Sequence, residues 1–213
     1  MRIERIEPSK HKKGRILVFL EDGACLKITE QELLDFSLHA GDVLEEDALK
    51  CLKEAAGISN IRAKAAELIS RRALSRRELE RKLREKGASA EEAEDAAAWL
   101  VSIGALDDAA YAAAVVRRGI EKGDGPARIR AKLHEKGVPR ELWEEAMAAL
   151  PPDSDQIAAF LSRKLRGQIP DETEKRRLTA ALLRRGFSWE EIRSAWNQRE
   201  EEEEAFPAYY SAN

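Results

Sequence analysis

Residues 75–87, SRRELERKLREKG, return twice later in the chain in altered form. Residues 129–137 (IRAKLHEKG) and 178–186 (LTAALLRRG) keep the same pattern: an apolar residue, a second apolar residue four positions later, and a glycine four positions after that. The three glycines are separated by 50 and then 49 residues. A fixed period of this length predicts an array of repeated structural units.

Each of the three stretches has the pattern of an amphipathic helix that ends at its glycine. Apolar residues four positions apart share one helix face, and a glycine that follows Lys or Arg is typical of a helix C-cap. Serine with glutamate three positions later predicts a capping box at a helix start. The apolar pairs are Leu79 with Leu83, Ile129 with Leu133 and Leu178 with Leu182; the capping boxes are Ser75 with Glu78 and Ser188 with Glu191.

Apolar-striped segments flank each repeated stretch, so the predicted unit is three helices, used three times. The tryptophans Trp99, Trp143, Trp189 and Trp196 have the spacing of core residues. Five consecutive glutamates repel one another and predict a frayed acidic tail. The predicted domains are a small α+β domain (1–57), three-helix repeats at 58–106, 107–152 and 153–199, and a flexible acidic tail (200–213).

The first 57 residues differ from the rest. Residues 15–20 (RILVFL) and 24–28 (ACLKI) are β-type runs joined by Glu-Asp-Gly, which predicts a β-hairpin, and residues 1–7 are a candidate third strand. Thr29 is predicted to cap a helix over residues 30–36, and a further helix is expected over residues 46–56. The fold class is therefore mainly α, with a small α+β domain ahead of the repeats.

Charge alternates along the repeats. Residues 61–87 carry ten Lys or Arg against four Glu, and residues 88–112 carry six acids and no base. The net charge of the following segments alternates in sign in the same way: +4 over 113–137, −4 over 138–155, +5 over 156–186 and −5 over 187–204. Because the basic helices recur with the repeat, stacking predicts a positive stripe. The alternative is that basic and acidic helices only pair with and solvate one another.

Candidate catalytic chemistry is sparse. His11, His39 and His134 lack metal-ligand spacing, and the two cysteines, Cys25 and Cys51, are too few for a disulfide framework. Adjacent carboxylates at 107–108 fit a helix N-cap better than an acid/base couple. No apolar run approaches the ~20 residues of a membrane span. We therefore expect no catalytic, metal or cofactor-binding residue, no cofactor, and a cytoplasmic protein.

An ordered set of motifs resembles the RecX family of bacterial recombinase regulators. The motifs are SxxELxxxLxxxG at 75–87, GALDDxxYA at 104–112, GxGPxxIxxxLxxxGV at 123–138, and RGF at 185–187 ahead of Glu191 and Ile192. The resemblance covers residues 61–197, and the hairpin domain and the tail lie outside it. It implies an elongated, curved array of three-helix repeats that lies in the groove of the RecA–single-stranded DNA filament. Bridging neighbouring RecA subunits would limit filament growth, ATP hydrolysis and strand exchange, without a catalytic residue.

The charge pattern and the resemblance agree on a long, regular, negatively charged target. The expected partners are the RecA filament and single-stranded DNA, directly or through the filament; no membrane is expected, and the protein is expected to be a monomer. The predicted contact residues are Arg71, Arg72, Arg76, Arg77 and Arg81 in the first repeat, Arg117, Arg118, Arg128, Arg130 and Lys132 in the second, and Arg163, Lys164, Arg176, Arg177, Arg184 and Arg185 in the third.

Two other functions use the same stripe. A general DNA-binding or DNA-architectural protein would bind DNA equally with or without recombinase, and its affinity would fall steeply with salt. A helical adaptor for another acidic protein would show no dependence on DNA. Sequence-specific DNA reading is disfavoured because the repeated helices have few amide side chains to read base edges.

Overall fold

The computed structural model describes residues 1–205, apart from the side chain of Glu203. Within these residues it contains three strands, ten α-helices and a short 3₁₀ turn (Arg140–Leu142). The strands are β1 (Ile3–Pro8), β2 (Arg15–Leu20) and β3 (Cys25–Thr29). The helices are α1 (Glu30–Asp35), α2 (Glu46–Arg71), α3 (Arg76–Glu85), α4 (Ala90–Ser102), α5 (Asp108–Lys122), α6 (Pro126–Glu135), α7 (Trp143–Met147), α8 (Asp153–Leu165), α9 (Glu172–Arg185) and α10 (Trp189–Ala205).

The mainly α fold with an N-terminal hairpin is confirmed, and the chain forms two compact units. The first comprises Met1–Leu106, and the second begins at Asp107. In the first unit, the strands form an antiparallel sheet in the order β1-β2-β3. Thr29 caps α1 with a complete capping box, as predicted. Ile3, Leu20 and Ile28 on the sheet are fully buried in one core with Leu52 of α2.

The domain boundary predicted after Gly57 lies inside a helix. α2 continues for 26 residues, so the expected helix over 46–56 and the first helix of the first repeat are one element. Leu49 and Leu52 face the core of the sheet, whereas Ile61 and Ala65 face the core of the first repeat. A glycine inside a helix costs about 1 kcal/mol, which burial in two cores offsets.

The repeated stretches form α3, α6 and α9, as predicted. Their apolar pairs are at most 3% exposed, and each pair lies in the core of its own repeat. All three glycines that follow these helices have positive φ, between 69° and 93°. Asp107 is the N-cap of α5 and accepts from two backbone N–H groups, and Ser188 with Glu191 forms both bonds of a capping box. Ser75 accepts from the backbone N–H of Glu78.

Two predictions about the C-terminal repeat are wrong. Residues 200–205 are not a frayed tail, because α10 runs through Glu200, which pairs with Lys175 of α9. Neutralisation of one glutamate from a neighbouring helix reduces the repulsion within the acidic run. The rest of the predicted tail, 206–213, lies outside the described residues. Trp189, the first residue of α10, is 58% exposed, whereas Trp196, two helical turns further along, is buried.

The second and third repeats meet where the C-terminal end of α9 touches the N-terminal end of α6. The N–H groups of Gly125 and Ala127 donate to the carbonyls of Arg185 (2.7 Å) and Gly186 (3.2 Å). The Arg128 guanidinium donates to the carbonyl of Arg184 at 2.9 Å. The first N–H groups and last C=O groups of any helix lack partners within the helix. At this α9–α6 junction, the two helix ends satisfy one another.

Close backbone approach at the junction explains the second glycine of the GxGP motif, Gly125, and the glycine of the RGF motif, Gly186. A Cβ on Gly125 would lie 2.7–2.8 Å from backbone atoms of Gly186 and Phe187, and a Cβ on Gly186 would lie 2.5 Å from the backbone nitrogen of Arg128. Gly186 also has a φ of +91°, which side chains disfavour. Any side chain at either position would therefore push the two helix ends apart.

We expect Gly125→Ala to destabilise the second unit by about 1–3 kcal/mol, because the added methyl group meets backbone that cannot move without breaking junction bonds. Gly57→Ala is the matched control: Gly57 is helical, and its Cβ position has nothing within 4 Å. That variant should be neutral or more stable by up to ~1 kcal/mol. Urea unfolding followed by tryptophan fluorescence measures both. Equal stability of the two variants would contradict the junction geometry.

Candidate functional site

Paired cations lie near the C-terminal end of the first helix of every repeat. The pairs are Arg71 with Arg72, Arg117 with Arg118, and Arg163 with Lys164, at a constant spacing of 46 residues. In the second and third repeats, all four side chains are exposed and have no ion pair or hydrogen bond within residues 1–205. These six residues, called the paired cations below, are the part of the predicted stripe that recurs most regularly.

The first pair has partners in its own repeat. Arg71 bonds to Glu67 at 2.5 Å, and its side chain is 69% exposed. Arg72 bonds to Glu78 at 2.5 Å, and the Glu78 side chain is only 9% exposed. The Arg72–Glu78 pair therefore ties the end of α2 to the start of α3. An exposed pair such as Arg71–Glu67 contributes little to stability and can exchange for another anion.

Nine of the ten predicted residues on α3, α6 and α9 divide into three groups, and Arg130 of α6 belongs to none of them. The first is exposed and has no side-chain partner in the described part of the chain: Arg77, Arg176 and Arg184. The second makes ion pairs with nearby glutamates on the surface: Arg76 with Glu80 and Glu94, Arg81 with Glu85, and Arg177 with Glu174. The third holds the fold together and comprises Arg128, Lys132 and Arg185.

Arg185, next to the α9–α6 junction, also links the end of α9 to the end of α5. Its Nη1 donates to the carbonyls of Lys122 (2.8 Å) and Gly123 (2.9 Å), at the C-terminal end of α5. Its guanidinium also lies 5.0 Å from the ring centroid of Phe160. A cation at a helix C-terminus is stabilised by the unpaired carbonyls and by the helix dipole. The Arg185 side chain of α9 is thus held by two other elements of the second unit, the end of α5 and α8.

Asp124 is a buried acidic centre beside the same junction. It is 5% exposed, and its carboxylate pairs with Arg128 Nε at 3.2 Å and with Lys132 Nζ. Both cations belong to α6, so Asp124 fixes the orientation of that helix against the end of α5. The sequence predicted Arg128 and Lys132 as contact residues; the structure gives both of them an internal partner.

Arg130 lies near two carboxyl groups that share a proton. Burial raises the pKa of Asp153 to about 7 from 3.8, and a hydrogen bond to Glu191 and its negative charge add to the effect, while Arg130 opposes it. The hydrogen bond from Asp153 lowers the pKa of Glu191, which also accepts from Ser188. Below about pH 7, Asp153 at the start of α8 therefore holds a proton that it can donate to Glu191 near the start of α10.

Sequence reasoning missed the acidic partners Asp124 and Asp153, since each depends on contacts between separate helices. The 46-residue spacing of the paired cations is a signal that the sequence did contain. Within residues 1–205, no three His, Cys, Asp or Glu residues are grouped to hold a metal ion. Among the helices of that same range, none is long and apolar enough to cross a bilayer.

Family comparisons match the three repeats separately. The models described as the first, second and third three-helix domains of RecX match residues 62–100, 107–147 and 152–196. The regulatory protein RecX of Xanthomonas axonopodis pv. citri (strain 306) is 41% identical over 134 residues, which cover 62% of this chain and 83% of that protein. RecX of Stenotrophomonas maltophilia (strain R551-3) is 39% identical over 134 residues, 62% of this chain and 82% of its own.

Two solved structures share the fold. A crystal structure of regulatory protein RecX has a TM-score of 0.69 at 24% identity and covers 92% of this chain and 98% of its own. RecX from Lactobacillus salivarius has a TM-score of 0.58 at 21% identity, over 68% of this chain and 97% of its own. The crystal structure of regulatory protein RecX with the TM-score of 0.69 covers 92% of this chain. The uncovered part is shorter than the 57 residues that precede the repeats, so the match includes part of the N-terminal region.

We expect Asp124→Asn to destabilise the second unit by about 1–3 kcal/mol, because two cations lose a buried charged acceptor. Glu135→Gln, at the far end of α6, is the control: Glu135 is exposed and pairs only with Lys136 among the described residues. Its change should stay within ~0.5 kcal/mol. Chemical unfolding of both variants in the same buffer measures the difference. Similar losses in both would show that Asp124 is not a structural centre.

The Asp153 carboxyl predicts a pH dependence of unfolding. Its folded pKa, about 7, lies above the unfolded value of 3.8, so the folded state holds more protons between these pH values. The stabilisation that protonated Asp153 provides is therefore lost as pH rises from about 4 through 7. Asp153→Asn should flatten the fall in stability between pH 5 and pH 8, and Asp155→Asn on the same helix should not. Parallel pH profiles for wild type and Asp153→Asn would contradict the assignment.

Proposed function

Because the chain belongs to the RecX family of regulatory proteins, we propose that it binds the RecA–single-stranded DNA filament and limits its extension, ATP hydrolysis and strand exchange. The proposed partner is the assembled filament, contacted across neighbouring RecA subunits, with single-stranded DNA contacted directly or through the filament. The protein would act as a monomer in the bacterial cytoplasm, where this partner is found.

The observation that carries the proposal is the spacing of the paired cations. Three pairs recur every 46 residues, one in each repeat, and four of their six side chains are exposed without a partner in the described residues. A repeated positive element suits a target whose negative charge also repeats, and a nucleoprotein filament is such a target. A single globular acidic protein would not require the repetition.

We propose that the protein acts by binding to the filament and catalyses no reaction. Protonated Arg and Lys side chains on a surface hold phosphates or carboxylates in place and offer no lone pair for general-base or nucleophilic chemistry. A ligand seated across filament subunits would oppose the subunit movements that accompany ATP hydrolysis, and at a filament end it would block addition of the next subunit. We therefore propose a regulator that is not an enzyme.

General DNA binding is the second candidate, favoured by the composition of the repeated helices. α3, α6 and α9 contain no Asn or Gln, the side chains that read adenine edges, and are rich in Arg and Lys. Contacts of this kind are made with phosphates and are independent of base sequence. The two candidates differ in whether RecA is needed for tight binding.

We expect neutralisation of the second pair, Arg117→Gln with Arg118→Gln, to raise the concentration for half-inhibition of RecA ATP hydrolysis on the order of tenfold, since each lost phosphate-type contact weakens binding severalfold at 0.1 M salt. Lys50→Gln with Lys53→Gln removes two exposed charges from α2 and is the matched control. Both proteins should keep the wild-type unfolding midpoint. DNA-dependent ATP hydrolysis by RecA on single-stranded DNA is the assay.

The same titration without RecA separates the candidates. Inhibition at concentrations too low to coat bare DNA supports the filament as target. Inhibition that appears only with DNA coating supports general DNA binding instead. Unchanged inhibition by the folded pair variant would remove the paired cations from the proposed surface.

A further inference from the structure

A second positively charged site lies in the first unit, outside the three repeats. A cleft of about 440 Å³ opens between the hairpin and α2, and its lining includes Lys12, Arg15, Lys27 and Lys64 together with His11. Leu17 and Ala63 supply apolar surface to the same lining. We call this site the hairpin cleft. None of the matched family domains includes its strand residues, since the first of them starts at residue 62.

Direct bonds between the sheet and the helix hold the walls of the hairpin cleft. Arg15 of β2 donates to the Ser59 hydroxyl at 2.8 Å and to the Ser59 carbonyl at 2.6 Å. Asn60 of α2 donates to the carbonyl of Lys27 on β3 at 2.9 Å. Because these bonds join both strands to α2, the cleft is formed before any ligand arrives. Preformed sites bind without the cost of ordering their own backbone.

The charge of the hairpin cleft favours an anion. Four lining residues carry a positive charge, and the nearby carboxylate of Glu67, 3.6 Å from Lys12 Nζ, opposes only one of them. Lys27 and Lys64 are exposed and have no side-chain partner in the part of the chain that the structure describes. A concave surface with charges of one sign concentrates the field inside it and attracts the opposite charge.

The shape points to a nucleotide unit in a strand. Its volume lies within the range of sites that hold small organic ligands, and it exceeds what one inorganic phosphate needs. Apolar surface beside cations suits a base lying next to its phosphates, and the His11 ring can stack on that base. The basic run Lys10-His11-Lys12-Lys13 continues from the rim, so cations extend beyond one phosphate group.

We propose that the hairpin cleft binds the phosphodiester backbone of single-stranded DNA, with one base in the cleft and neighbouring phosphates on Lys27, Lys64 and the basic run. This contact is separate from the paired cations and needs no RecA, so its test does not depend on whether the protein binds the filament. It gives the N-terminal region a role as a nucleic-acid anchor for the regulator.

The test is binding of the full chain to fluorescent (dT)20, followed by anisotropy at several salt concentrations. Lys27→Gln with Lys64→Gln should weaken binding on the order of tenfold at 0.1 M salt and lower the slope of log K against log salt by about 1.4, for two phosphates released. Lys50→Gln with Lys53→Gln, on exposed positions of α2, is the control and should bind as wild type. Equal affinities and slopes for the two variants would overturn the proposal.

A footprint locates the contact even where the repeats also bind DNA. Acetylation of lysines in the wild-type protein, read by mass spectrometry, should slow severalfold at Lys27 and Lys64 when (dT)20 saturates the protein, and should not slow at Lys50 and Lys53. Unchanged reactivity at Lys27 and Lys64 would also overturn the proposal. Inorganic phosphate or dTMP serves as the small-anion control. If either slows acetylation of Lys27 and Lys64 at the concentration at which (dT)20 does so, the cleft binds small anions and the proposal of a single-stranded DNA site is wrong.

Discussion

The second unit depends on the mutual satisfaction of helix ends at the α9–α6 junction. The start of α6 offers unpaired N–H groups, the end of α9 offers unpaired carbonyls, and the two sets meet at 2.7–3.2 Å. Each such bond contributes only about 1 kcal/mol net, but separating the ends would leave several buried groups unsatisfied at once. The partial negative charge at the C-terminal end of α9 also meets the partial positive charge at the N-terminal end of α6, which is favourable. This requirement explains why glycines occupy positions 125 and 186.

The junction determines which cations remain available for a partner. Arg128, Lys132 and Arg185 are held by Asp124 or by helix carbonyls, so their charge stabilises the fold. The pairs in α5 and α8 have no such partner among the described residues, and they lie on helices whose buried faces are already filled by their repeats' cores. Basic composition alone therefore overstates the size of a binding surface, because part of it is used inside the protein.

Local signals predicted most of the fold, and contacts between elements decided the rest. The i, i+4 apolar pairs and their glycines specify helices and their ends within a few residues, which a sequence shows directly. The continuation of α2 past Gly57 depends on two separate cores that bury successive faces of one helix, and no local pattern reports this. Likewise, Glu200 in the helical end of the acidic run pairs with Lys175, 25 residues earlier in the sequence. The structural role of Arg185 depends on backbone carbonyls 62 and 63 residues earlier.

Segregation of charge along the repeats would give selectivity to the filament binding that we propose. The net charge of the whole chain is −3, so a polyanion is repelled at long range unless it meets the basic helices in the right register. The acidic helices α4, α7 and α10 provide this repulsion between successive basic segments. Specificity is a difference of affinities, and unfavourable contacts with wrong targets increase it as effectively as favourable contacts with the right one. A target with regularly repeated charge can match several basic segments while avoiding the acidic ones, whereas an irregular polyanion meets both signs. For the filament target that we propose, the acidic helices would therefore contribute to target choice alongside the cations.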